Sequence, residues 1–148
     1  MMDLRELYQE IIIDHNQNPR NHREMEHPTC KAKGFNPLCG DKLTVYLKLK
    51  NDAIEDISFL GCGCAISQAS ASLMTEVLQG KTVSEAHEFF KRFHHMVTVA
   101  DDPEPESLDK LSVLAGVRAF PARVKCATLA WHTLESALKQ DSTVVTTE

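Results

Sequence analysis

Three short stretches of this chain carry side chains able to bind a metal or to handle sulfur. Cys39-Gly40-Asp41 sets a thiol and a carboxylate two residues apart on a glycine-containing turn. Gly61-Cys62-Gly63-Cys64 places two thiols among glycines, directly before the small residues Ala65-Ile66-Ser67-Gln68-Ala69-Ser70-Ala71-Ser72. Cys126 stands early in the last apolar-striped segment. Three thiolates and an aspartate would complete a four-coordinate site, and Zn²⁺ accepts sulfur and carboxylate oxygen in that geometry. The third sulfur is Cys64 or Cys62, both at a helix start. There the unpaired N–H groups favour a thiolate, the form that binds metal or attacks sulfur. The ordinary alternative is that each thiol is a small buried hydrophobe, and that reading suits Cys30 in its undistinguished polar stretch. Spacing by itself does not single out zinc, because no C-x-x-C pair is present.

The elements that must position these groups follow from periodicity. Ile66, Ala69, Leu73, Met74, Val77 and Leu78 keep helical spacing up to Gly80, and the small residues before Leu73 suit a helix that packs tightly. Leu43, Val45, Leu47 and Leu49 alternate with more polar residues, a half-buried strand; Asn51-Asp52 turns the chain, and residues 53–60 return. That hairpin brings Cys39 and Asp41 to the same end as Cys62 and Cys64. Leu4, Leu7, Tyr8, Ile11 and Ile12 predict an N-terminal helix ending before Pro19, with Asp3 and Glu6 placed as a capping pair. Thr82-Val83-Ser84-Glu85 is a capping box ahead of Ala86, Phe89, Phe90, Phe93 and Val97, and a short helix is expected over 107–117. Pro121 opens the last helix, whose stripe of Val124, Ala127, Trp131, Leu134 and Leu138 makes Trp131 a core residue. His15, His22 and His27 read as exposed loop histidines, and neighbours His94 and His95 point apart on a helix, against a shared metal. Residues 101–106 read as an exposed acidic loop and 141–148 as a loose tail.

At 148 residues, 43% hydrophobic and 25% charged, the chain is expected to form one globular domain with a sizeable core. A net charge of −5 argues against nucleic-acid binding. No apolar run approaches the roughly 18 residues of a membrane span, so no membrane partner is expected. The acid-bearing start Met1-Met2-Asp3-Leu4-Arg5-Glu6 lacks a signal-peptide layout. Five cysteines, an odd number, do not suggest a disulfide framework, and a reduced, cytoplasmic setting is expected.

Cys39-Gly40-Asp41, residues 61–76 and Arg123-Val124-Lys125-Cys126-Ala127-Thr128-Leu129-Ala130-Trp131 closely resemble the U-type iron–sulfur cluster assembly proteins, the IscU/SufU/NifU N-terminal family. The resemblance runs over nearly the whole chain, in the same order. Two features look like the SufU branch: an extra segment, here 91–115, and Lys125 where IscU proteins carry histidine. Phe120-Pro121-Ala122-Arg123-Val124-Lys125 also replaces the Leu-Pro-Pro-Val-Lys chaperone motif of IscU proteins. The resemblance implies an α+β fold, a small three-stranded antiparallel sheet with helices packed against it (IscU-like/SufE-NifU-like). It implies a single domain over 1–148 with an N-terminal helix within 1–20. It also implies Zn²⁺ on Cys39, Asp41, Cys64 and Cys126, the gap-free reading of residues 69–76 choosing Cys64 over Cys62. The implied role is a sulfurtransferase-like relay of persulfide sulfur from a pyridoxal-phosphate cysteine desulfurase (SufS-type) to a SufBCD-type cluster-building complex. In that role Cys39 is the sulfur acceptor, on a turn that can move, and Arg123 and Lys125 give electrostatic support. Two alternatives stand beside it: a scaffold on which a transient 2Fe-2S cluster is built from the same cysteines, and a structural zinc protein mediating contacts.

Overall fold

Alternation of apolar residues along 43–49 builds the central strand of the sheet, and the turn after it sets the register. In the computed structural model, which describes residues 4–98, 109–139 and 145–146, β2 (Asp41–Lys50) runs antiparallel to β3 (Ala53–Cys62). Asn51 and Asp52 both take positive φ (54° and 61°), the pair of left-handed residues that a tight hairpin with right-handed strand twist demands. Leu43, Val45 and Leu47 face the core with Ile57 and Phe59, whereas Lys42 and Cys62, paired across the ladder, are exposed on the opposite face.

A third strand, β1 (Cys30–Asn36), pairs antiparallel with β2 from Cys30–Leu47 to Asn36–Asp41. The three-stranded antiparallel sheet implied by the family resemblance is thus present as β3–β2–β1. Cys30 is buried, as expected of it. β4 (Val145–Thr146) adds a parallel pair to Gly34 and Phe35. Two residues of the stretch expected to be loose are therefore sheet, because the outer edge of β1 offers them open backbone groups. The acidic stretch 101–106 and the rest of 141–148 lie outside the described residues, as does part of 91–115.

One face of the sheet is covered by α2 (Ala65–Leu78) and α4 (Pro121–Leu138); α1 (Leu4–Gln17) packs on α2, and α3 (Val83–Thr98) packs on α4. The expected short helix appears as a 3-10 helix, Asp109–Ala119, against α3. The capping box forms: Thr82 N–H donates to Glu85 Oε1 (3.1 Å) and Glu85 N–H to Thr82 Oγ1 (3.0 Å). Trp131 is fully buried and stacked on Phe93, with ring centroids 4.7 Å apart. No helix among the described residues is long and apolar enough to cross a membrane.

His22 and His27 are exposed as expected, but His15 is not. It lies on α1, is 2% exposed, and its Nδ1 hydrogen-bonds Ser72 Oγ at 2.7 Å. Ser72 Oγ also accepts the Arg20 N–H (2.8 Å). The small-residue face of α2 lets α1 come close enough to bury this polar pair, which a reading of local polarity does not reveal.

Candidate metal centre

The site lies where the turn of the β1–β2 hairpin and the open end of the β2–β3 hairpin meet the starts of two helices. Residues 37–40 connect β1 to β2, so Cys39 stands in the turn and Asp41 is the first residue of β2. Gly40 supplies the positive φ (72°) that lets the chain reverse between them. Cys64 is the N-cap of α2, and its sulfur accepts the Ser67 N–H at 3.4 Å. Cys126 sits in the second turn of α4, fully buried. The contact between α2 and α4 is close because Ala69, Ser70 and Ala71 are small, and Ser70 Oγ donates to the Ala127 carbonyl at 2.5 Å.

The sulfurs of Cys39 and Cys126 lie 3.0 Å apart, both as free thiols. Asp41 is fully buried; its Oδ1 accepts the Cys64 N–H at 2.8 Å and its Oδ2 lies 3.8 Å from Cys64 Sγ. Ligating atoms of Cys39, Asp41 and Cys126 all fall within 4.8 Å of one another, with Cys64 beside Asp41. Three sulfurs and one carboxylate suit Zn²⁺, and they converge from four elements without disulfide formation. Burial pushes the Cys126 thiol well above the usual thiol range, and the neighbouring Cys39, Cys64 and Asp41 add to the rise. Without a cation, Cys126 is therefore held as a thiol; bound metal reverses that preference, since a coordinating thiol gives up its proton.

Of the thiols at the helix start, Cys64 lies beside Asp41 but outside the group of Cys39, Asp41 and Cys126 that falls within 4.8 Å, and Cys62 is exposed across from Lys42 on the outer face of the sheet. Arg123 is exposed on the first turn of α4, and among the described residues its guanidinium makes no hydrogen bond or ion pair. Lys125 is half-buried directly before Cys126. His94 is 5.8 Å from His132 between ring centroids, in a cluster with Phe90 on α3 and α4 that is separate from the sulfur site.

Two further residues shape the site, and neither stands out in the sequence as functional. Gly63 is one: a Cβ there would overlap Asp41 Oδ1, so the carboxylate can fold onto the chain only above glycine. Asn36 is the other, fully buried beneath the turn. Its Oδ1 accepts the Leu38 N–H (3.1 Å), and its Nδ2 faces Cys126 Sγ at 3.8 Å. The faint cues are a glycine between two cysteines and an Asn-Pro pair opening the turn that carries Cys39.

Known proteins are similar to this chain over most of their length. Residues 7–144 match the NifU-like N-terminal domain family. The zinc-dependent sulfurtransferase SufU of Bacillus subtilis is 39% identical over 135 residues, 91% of this chain and 91% of that protein. The iron–sulfur cluster assembly scaffold protein IscU of Streptococcus pyogenes is 39% identical over 139 residues, 94% of this chain and 87% of that protein. Among solved structures, a protein from Fervidobacterium islandicum described as an iron–sulfur cluster assembly scaffold for the SUF system superposes with a TM-score of 0.82 at 38% identity. That match covers 90% of this chain and 97% of the other.

Proposed function

The chain belongs to the NifU-like N-terminal domain family, and from that premise we propose that it is a zinc-dependent sulfur-transfer protein of iron–sulfur cluster assembly. The observation that carries this reading is the convergence of Cys39, Asp41 and Cys126 within 4.8 Å, with Cys64 at 3.8 Å from Asp41. These four residues hold Zn²⁺, which when bound keeps its sulfur ligands deprotonated. The donor is a cysteine desulfurase of the SufS type, and the recipient is a SufBCD-type cluster-building complex in the cytoplasm. All of 1–148 serves as one domain, with 91–115 as the segment that distinguishes the SufU branch.

Cys39 is the sulfur acceptor. It is half-exposed on a turn, whereas Cys126 is buried and Cys64 caps a helix. Its thiolate attacks the outer sulfur of the donor's persulfide; the donor's sulfur–sulfur bond breaks and the donor cysteine leaves as thiolate. A persulfide on Cys39 results, with no net oxidation or reduction. Arg123 and Lys125 add positive charge beside Cys126, favouring anionic sulfur there.

Stimulation of a cysteine desulfurase, assayed with and without chelator, tests this function. Chelator-sensitive stimulation by colourless protein carrying about one zinc supports transfer. A structural zinc protein would leave the desulfurase unaffected. The scaffold reading, favoured by the S. pyogenes relative's description, instead requires brown protein whose visible absorption follows a 2Fe-2S cluster on the same cysteines.

Gly63→Ala tests how the carboxylate is seated. The added Cβ displaces Asp41, so zinc affinity measured by chelator competition is expected to fall about tenfold or more, in the range seen when a ligand loses its supporting contact. Unchanged affinity would remove Asp41 from the ligand set.

A further inference from the structure

We propose that Asn36 is a positioning residue of the metal centre, one carboxamide that fixes the Cys39 turn at one end and tunes the Cys126 sulfur at the other. The inference rests on the zinc reading above and adds a group that no ligand count would include. Asn36 occupies an inward-facing position of β1, where Cys30, Ala32 and Gly34 precede it in the same alternation. A polar side chain fully buried at such a position is costly unless both of its ends are paired. Both are paired, and both partners belong to the site. Oδ1 takes the Leu38 N–H at 3.1 Å, which closes the turn directly before Cys39. Nδ2 points to Cys126 Sγ at 3.8 Å, ninety residues away in sequence. In the ladder Asn36 pairs with Asp41, so one residue touches or adjoins three of the four ligands' segments.

The chemical consequence follows from what an N–H donor does to sulfur. A hydrogen bond to a thiolate withdraws charge from it, stabilises the buried anion, and fixes its direction. Ala122 O, at 3.5 Å, accepts from the Cys126 thiol while it is protonated; once the proton has gone, that carbonyl offers the anion nothing. The Asn36 amide still offers it a donor that does not depend on protonation, unlike the Cys39 thiol at 3.0 Å, which can donate only while it keeps its proton.

Two substitutions separate the two ends. Asn36→Asp keeps an acceptor for the Leu38 N–H and removes the donor to sulfur, while Asn36→Ala removes both. Zinc affinity by chelator competition is expected to fall about 10–100-fold in each, the usual cost of losing a supporting hydrogen bond to a ligand. With Co²⁺ as the probe ion, the sulfur-to-metal charge-transfer bands of both variants are expected to move to longer wavelength, because sulfur without its donor is more easily ionised. A purely structural role for Asn36 would lower thermal stability and leave those bands where they are in the parent protein. Unmoved bands with parent-like zinc affinity in Asn36→Asp would overturn the proposal alone. A parent protein that takes up neither ion would overturn the zinc reading itself and this proposal with it.

Discussion

Serine in place of Cys39 is expected to leave the protein without any detectable persulfide and to abolish its stimulation of a cysteine desulfurase. Oxygen does not form a persulfide, and no other thiol of the site combines a place on a turn with comparable access. Cys126 is fully buried, and Cys64 is committed as the cap of α2. The fold is expected to persist, since the β1–β2 turn contributes nothing to the hydrophobic core and Gly40 continues to supply its positive φ. Mass spectrometry of the intact variant after incubation with desulfurase and cysteine reads the outcome directly. Cys64→Ser is expected to lose zinc and activity together, and Cys62→Ser, on the far face of the sheet, to change neither. A persulfide retained in the Cys39 variant, or zinc lost from the Cys62 variant in place of the Cys64 variant, would reassign the acceptor or the ligand.

The largest effect on stability is expected from Trp131→Ala. The indole is fully buried, stacks on Phe93, and stands between α4 and α3 in the centre of the apolar cluster. Truncating such a side chain costs about 3–5 kcal/mol through lost burial and the cavity left behind. Against the roughly 5–15 kcal/mol that holds a typical domain together, that loss is about a fifth of the total or more. Chemical denaturation of the metal-free protein, which separates packing from metal binding, is the appropriate measurement. Trp131→Phe is expected to cost much less, partly because the buried indole N–H has no hydrogen-bond partner among the described residues. A loss below about 1 kcal/mol in the alanine variant, far under the usual range, would mean that the α3–α4 layer adds little to the fold.

Local signals in the chain were sufficient for the elements that announce themselves within a few residues. The alternation at 43–49, the left-handed pair Asn51-Asp52, the Thr82/Glu85 box and the proline opening α4 each depend on near neighbours only. The four proposed ligands were legible for the same reason: thiols and carboxylates beside glycines and helix starts are distinctive in type, and the β2–β3 hairpin carries two of the motifs to one end. The family resemblance of three separate motifs added the sheet's third strand, which residue patterning had missed. β1 is buried through Cys30, Ala32, Gly34 and Asn36, and small or polar residues leave no apolar period to read. Their smallness has its reason across the fold, where α4 packs so close that a Cβ on Gly34 would overlap Thr133 Oγ1.

Tertiary structure alone decided the matters that depend on partners far along the chain. His15 looks like a solvated histidine until Ser72, fifty-seven residues away, meets it. Residue patterning leaves Cys62 and Cys64 open and the family resemblance favours Cys64, but only the fold shows β2 pairing sending the first to the outer face while Asp41 receives the backbone of the second. Gly63 and Asn36 acquire their meaning only when Asp41 folds onto one and Cys126 comes within reach of the other. Residue type and local periodicity therefore determined which chemistry this protein carries and the outline of its elements. What supports the site's thiols and carboxylate was left to packing, because a buried polar group is stable only where its distant partner arrives.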